Sequence, residues 1–165
     1  MHDKSIKLLN KAVADELSAI HQYMYFHFHC DDQGLSLLAG LFKRTAIEEM
    51  QHVERLADRI LFLGGDVGMK PGGDVTATNE VKAMLECACE MEQESIKDYN
   101  NWAMECAANA DSVSRKLFED LVADEERHFG QFDNELKNLK KFGKDYLALQ
   151  SMERSRATSA GAAEE

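Results

Sequence analysis

The sequence predicts an all-α fold: four long helices packed as a bundle, one long crossover between the second and third, and a short fifth helix. Three observations predict it. Pro71 is the only proline among 165 residues, so no other ring removes a helix hydrogen bond. Apolar residues recur at three- and four-residue intervals through four stretches, the period of an amphipathic helix. Most glycines fall where those stretches stop, as helix terminators should.

The first stretch runs from about Lys4 to Cys30 and stops near "DDQG", with Gly34 as the break. The second runs from about Leu35 to Leu63 and ends at Gly64-Gly65. "GGDVGMKPGGDVTATN" follows, rich in glycine and holding the proline, and reads as a long connection. A third helix spans about Glu80 to Ala108, with Thr78 or Asn79 as the expected N-cap. "NADS" is a tight break, and a fourth helix covers about Val113 to Phe142, ended by Gly143. "KDYLALQSM" forms the short fifth helix. Helices this long each extend roughly 40 Å. Short breaks make the first and third junctions antiparallel hairpins, and the long second connection crosses the bundle from end to end. Residues 1–152 therefore form one domain, and 153–165, small and polar, are expected as a flexible tail. No repeat of 20–50 residues is evident.

Thirty acidic against nineteen basic residues give a net charge of -11. That excludes nucleic-acid binding through a basic patch. No apolar run is long enough to span a membrane, and "MHDKSIKLLNK" lacks the apolar core of a secretion signal. A cytoplasmic protein without membrane contact is expected. Cys30, Cys87, Cys89 and Cys106 include no C-x-x-C pair, so they read as reduced, mostly buried thiols rather than a zinc-ribbon or rubredoxin-type site.

The inner stripe of each helix is broken near its middle by a metal-ligating residue type. On the first, Leu9, Val13, Ile20 and Tyr23 flank Glu16. On the second, Leu38, Leu41 or Phe42, Leu56 and Ile60 flank Glu49 and His52 within "AIEEMQHV". On the third, Leu85, Ala88, Ile96 and Tyr99 flank Glu92. Glu92 is preferred over Glu86, Glu90 and Glu94 because only it has apolar residues four positions away on both sides. On the fourth, Leu117, Leu121, Phe132 and Leu139 flank Glu125 and His128. Glu49 and His52, like Glu125 and His128, are three residues apart and share one helix face. Buried charge is costly unless paired or metal-bound. One E-x-x-H is usually a surface pair; two of them, with two more inward glutamates, form the ligand set of dinuclear iron or manganese carboxylate bundles. Four carboxylates neutralise two divalent cations, oxygen ligands suit their hard oxidised state, and each imidazole anchors one ion. Tyr23, seven residues after Glu16 on the same stripe, is both a core residue with a bonded hydroxyl and a candidate electron donor to the pair.

With those residues placed, the chain resembles the ferritin superfamily over about Ser5 to Gln150, and within it most resembles the bacterioferritins. "DEERH" in the fourth helix, "ERLADRILFLGGD" at the end of the second and "KKFGKDYLALQ" around the fifth carry that closer match. The resemblance implies a ferritin-like bundle with a di-iron ferroxidase centre, two iron ions per subunit, held by Glu16, Glu49, His52, Glu92, Glu125 and His128. It implies Fe(II) oxidation by dioxygen or hydrogen peroxide, a ferric mineral stored inside a twenty-four-subunit shell built from two-fold dimers, and a ferredoxin-type reductant for release. It also implies a b-type haem shared across each two-fold interface, with Met50 as the matching ligand. Met50 directly follows Glu49, so it turns roughly 100° from the metal face, toward a neighbouring subunit. The sequence departs from the family at one place: an inner-wall iron site built on a histidine and an acid would here meet Arg44 and Glu48, and arginine cannot ligate iron. His27 continues the inner stripe as a bonded core residue; His2, His21 and His29 carry no assigned role.

Other readings compete. Among them are a small oxygenase, for which the bulky tyrosine and phenylalanine near the site leave little sign of a substrate cavity, and a structural bundle with no metal, which elemental analysis would settle. A haem-free ferritin needs only that Met50 be a packing residue. A rubrerythrin-like di-iron peroxidase is weakened by the missing cysteine pairs. A DNA-protecting miniature ferritin places its ligands between subunits and lacks a fifth helix, whereas all six ligands here fall within one bundle.

Overall fold

A computed structural model describes residues 2–161, and among them there are five α-helices and no strand. The order is α1 (Asp3–Asp32), α2 (Ser36–Phe62), α3 (Val81–Ala108), α4 (Ser112–Phe142) and α5 (Lys144–Gly161). α1 and α2 form one antiparallel hairpin and α3 and α4 another; α1 also packs on α3, and α2 on α4. α5 closes one end against α2 and α4. No helix among the described residues is long and apolar enough to cross a membrane.

The core is two apolar clusters stacked along the bundle axis. One gathers Tyr23, Phe26, Leu38, Phe42, Met84, Leu85 and Phe132. The other gathers Leu9, Val13, Leu56, Ile60, Tyr99, Trp102, Phe118 and Leu121. The expected stripes lie in these clusters except for Ile96, which is half-buried and belongs to neither; on α4 the most deeply buried apolar residues are Phe118, Leu121, Phe132 and Leu136, with Leu117 and Leu139 at the margins. Between the clusters, at mid-helix, lie the buried acids and histidines.

The crossover, residues 63–80, is strapped along α1. Asn10 donates to Asp66 O (3.0 Å) and accepts from Gly68 N–H (2.7 Å). Ser18 Oγ accepts from Gly72 N–H (2.9 Å) and Gly73 N–H (3.1 Å). Gln22 accepts from Thr76 N–H (2.7 Å) and donates to Thr76 O (3.0 Å). These three side chains lie four or eight residues apart and so share one face of α1. Gly64 leaves α2 in the left-handed region at φ +80°, and a Cβ at Gly65 would lie 2.7 Å from Ile6 Cγ2. Only glycine serves both positions.

Two local details differ from expectation. α3 begins at Val81 with Glu80 as its N-cap, not Thr78 or Asn79. Thr78 Oγ1 does accept from Glu80 N–H at 3.3 Å, one step outside the first turn. The fifth helix continues past Met152 to Gly161, seated by Tyr146, which donates to Glu135, and by Gln150, which accepts from Leu38 N–H at 3.2 Å. Residues 162–165 of the expected tail lie outside the described residues.

Candidate metal centre

Each of the four long helices delivers a carboxylate to the gap between the two clusters. Glu16, Glu49, His52, Glu92, Glu125 and His128 are all at most 3% exposed. They form two overlapping groups, Glu16–Glu49–His52–Glu125 and Glu49–Glu92–Glu125–His128, with the ligand atoms of each within 4.8 Å of one another. Glu49 and Glu125 belong to both groups, as bridging carboxylates would. The structure therefore brings all six expected side chains together in one bundle.

The polar atoms at the centre face one another rather than ordinary partners. His52 Nδ1 lies 2.8 Å from Glu49, 3.1 Å from Glu125 and 3.3 Å from Glu16. His128 Nδ1 lies 3.0 Å from Glu49 and 3.5 Å from Glu125. Yet both Nδ1 atoms, both Glu49 oxygens and Glu125 Oε1 are buried without a properly angled hydrogen bond. Orphaned buried polar atoms are rare and call for an explanation. Two cations among them would supply the missing partners, and the donor set, carboxylate with one imidazole per ion, suits iron.

Electrostatics agree. Burial, then the charges of Glu49 and Glu125, pushes the Glu16 carboxyl well above its usual range. Burial, then the Glu125 and Glu49 carboxylates, does the same to Glu92. Burial pulls the histidines toward neutrality, but the surrounding carboxylates win, raising His52 strongly and His128 to about 10. Without metal, the site thus holds protons where cations would sit. Metal binding requires their release.

Around the six lies an outer layer that the sequence reading overlooked. His128 Nε2 sits 2.6 Å from Glu48, and His52 Nε2 sits 3.3 Å from Asp124. Each acid comes from the helix opposite its histidine, and fixes the ring so that Nδ1 faces inward. Arg127 ties Glu48 (2.7 Å) and Asp124 (3.2 Å) together. Glu48, weighed earlier only as an inner-wall acid, is a histidine orienter here. The signal was present: each acid immediately precedes the bridging glutamate, as [DE]-E-x-x-H twice.

Tyr23 is fully buried and donates to Glu92; Tyr99, equally buried, donates to Glu16 at 2.7 Å. Tyr99 was placed on the core stripe but given no role, although it follows Glu92 by the same seven residues that separate Tyr23 from Glu16. Met50 is half exposed on α2, close in sequence to exposed Ile47, and is not part of the centre. His27 is half-buried rather than in the core, and its Nδ1 bonds Ala39 O at 2.9 Å.

Two cavities reach the centre from opposite sides. One of about 230 Å³ opens between α1, α3 and the crossover, with Asp15, Glu94 and Asp98 at its mouth and Glu16, Glu49, Glu92 and Glu125 at its floor. The other, about 390 Å³, opens between α2 and α4 over the outer edge of His52, rimmed by Arg44, Arg55 and Arg127.

The family described as Ferritin-like domain matches residues 6–142. The chain is 37% identical over 145 residues to the bacterioferritin of Desulfovibrio desulfuricans, covering 88% of this chain and 81% of that one. It is 33% identical over 147 residues to the bacterioferritin of Rhodobacter capsulatus, covering 88% and 91%. A solved structure of the Desulfovibrio desulfuricans bacterioferritin, described with its diiron site in different catalytic states, superposes with a TM-score of 0.88 at 36% identity, covering 90% of this chain and 86% of that one.

Proposed function

The chain belongs to the ferritin-like domain family, and from that premise we propose that it is an iron-storage ferroxidase, oxidising Fe(II) with dioxygen or hydrogen peroxide and depositing the ferric product inside an oligomeric shell. The observation that carries this reading is the set of six buried ligands in two groups sharing Glu49 and Glu125.

Glu16 and His52 would hold one ferrous ion and Glu92 and His128 the other, with Glu49 and Glu125 bridging. Two ferrous ions held by these residues would together supply the two electrons that one oxidant takes up. The acidic mouth at Asp15, Glu94 and Asp98 favours cation approach through electrostatic attraction. Glu48 and Asp124 keep the imidazoles aimed inward, and Tyr23 and Tyr99 fix the two non-bridging carboxylates by hydrogen bonding. The cavity over His52, on the opposite side, is a route by which the product leaves.

The finer assignments follow the bacterioferritin relatives: a shell of twenty-four chains in the cytoplasm, a ferredoxin-type reductant, and a b-type haem between two chains with Met50 of each as ligand. The half-exposed position of Met50, turned from the metal centre, fits an isologous ligand, which must face a second copy.

Anaerobic loading followed by mixing with oxygen or peroxide, read by near-ultraviolet absorbance and size exclusion, tests the proposal. Rapid oxidation of two ferrous ions per chain by a large assembly is expected. Equal rates in Glu49→Gln would overturn the ferroxidase reading. Haem is tested separately: Met50→Leu should abolish a bis-methionine visible spectrum without altering iron oxidation.

A further inference from the structure

The two openings onto the metal centre carry opposite charge. The mouth between α1, α3 and the crossover is acidic, with Asp15, Glu94 and Asp98. The cavity of about 390 Å³ between α2 and α4 is rimmed by Arg44, Arg55 and Arg127, in a chain whose net charge is -11. Arg44, Glu48, Gln51 and Arg55 recur at three- and four-residue steps and so share one face of α2; Asp124 and Arg127 line the cavity from α4. Its only acids, Glu48 and Asp124, are turned to the histidine rings, 2.6 Å from His128 Nε2 and 3.3 Å from His52 Nε2. These pairs do not use up the guanidiniums. Arg127 meets Glu48 and Asp124 through Nη2 alone, and Arg55 meets Asp124 through Nη1 and Asp120, at 3.9 Å, through Nη2. The ion pairs of this rim belong to those two arginines, and Arg44 has none among the described residues. A guanidinium offers five N–H donors in a planar fork, so Arg44 and the free edges of its neighbours are left for a further acceptor. A ferric ion leaving over His52 would pass three like-charged groups, and that repulsion grows as water is excluded. The product needs an anion with it.

We infer that the rim of Arg44, Arg55 and Arg127 binds inorganic phosphate, which meets the ferric product at the exit and carries it away neutralised. The role at the exit rests on the ferroxidase reading; the binding of phosphate does not. Arginine is suited to this ligand, because its fork matches two phosphate oxygens at once. No phenylalanine, tyrosine or tryptophan lines the cavity, so nothing there stacks on a base. The ligand is therefore the free ion rather than a nucleotide. Ferric iron is a hard cation that prefers oxygen ligands, and a phosphate held over His52 offers them on the way out. One ferric ion and one hydrogen phosphate give neutral ferric phosphate and one proton, which passes to solvent; no electron moves. The neutral product is no longer repelled by the rim, and its departure leaves the guanidiniums open to the next phosphate. Charge thus gives the centre a direction, drawing ferrous ions in at the acidic mouth and releasing the oxidised product only with its counterion.

Calorimetric titration of the metal-free full chain with inorganic phosphate tests the site. Saturable binding is expected. Arg44→Gln removes an exposed charge that touches none of the six ligands, so it should leave folding unchanged. It should weaken phosphate binding at least roughly tenfold, through the loss of charge-assisted hydrogen bonds. Adenosine monophosphate should bind no more tightly than phosphate itself. Absence of phosphate binding, equal affinity in Arg44→Gln, or tighter binding of the nucleotide overturns the site. Stopped-flow absorbance then tests the exit. After one round of ferrous oxidation, phosphate should speed a second round several-fold in the wild-type protein but not in Arg44→Gln, with the first round equal in both. Equal acceleration in the two proteins overturns the role at the exit. Wild-type protein that binds phosphate but oxidises no iron would sink the ferroxidase reading and leave the phosphate site standing.

Discussion

The hairpin α1–α2 and the hairpin α3–α4 supply the same ligands at a constant offset of 76 residues, yet their outer surroundings differ. Glu48 reaches His128 at 2.6 Å, whereas the shorter Asp124 stands 3.3 Å from His52 and is shared with Arg55 and Arg127. Phe26 corresponds to Trp102, and Gly34 to Ala110. The difference teaches that symmetry is retained where two ions must be gripped alike, and relaxed one layer out, where each half can take a separate task.

The equivalence is most severely tested at the ligands themselves. His52→Ala and His128→Ala should each slow oxidation of an iron pair by more than the roughly 10–100-fold that loss of an outer group costs. Stopped-flow absorbance measures both, and one variant that stays fast breaks the symmetry. The outer acids come next. Glu48→Gln and Asp124→Asn should weaken anaerobic Fe(II) binding by about 10–100-fold, Glu48→Gln more, since its contact is the tighter; calorimetry showing the reverse order would mean that the arginines, not the histidines, hold these acids.

Protons come third, and here the metal-free halves agree. His128 has its pKa raised from 6.5 to about 10, and His52 is raised too. A raised histidine stabilises the fold fully below its unfolded pKa and loses that contribution as pH climbs through the folded one. Glu16 and Glu92, also raised, act in the same direction from the carboxylate range upward. Glu125 is depressed and acts oppositely, losing its contribution as pH falls below the carboxylate range. Metal-free protein should therefore melt at progressively lower temperature between pH 6.5 and about 10, and iron should flatten that slope. A metal-free profile already flat over this range refutes the assignment.

The smallest effect concerns the hairpin turns. Gly34 and Ala110 hold the same left-handed conformation, φ 78° and 56°, and each donates its N–H three residues back, to Asp31 O and Ala107 O. Alanine is strained there and glycine is not. Ala110→Gly should stabilise by about 1 kcal/mol, and Gly34→Ala destabilise by a similar amount. That is about 2–4 °C in melting temperature for a chain of this size.

Much of this was legible in the sequence because the signals are strong and periodic. The helices follow from apolar spacing, and Glu92 was separable from three neighbouring glutamates by its flanking Ala88 and Ile96. Glu48 and Asp124 were not singled out, because a half-exposed acid beside an arginine reads as a solvated pair until the opposite helix is seen. Tyr99 is recognisable in principle, since an offset of 76 residues pairs it with Tyr23, but that spacing is longer than the 20–50-residue periods that mark repeat folds. The length of α5 depends on packing against α2 and α4 as well as on its weak amphipathic pattern, so spacing alone stopped it early.

Each group of ligands draws three side chains from one hairpin and a single glutamate from the other. A chain still emerging from the ribosome therefore has no working centre until its fourth helix has docked. A copy left with one hairpin lacks half the ligands for a pair of ions, so the chemistry is switched on by the docking of the second hairpin.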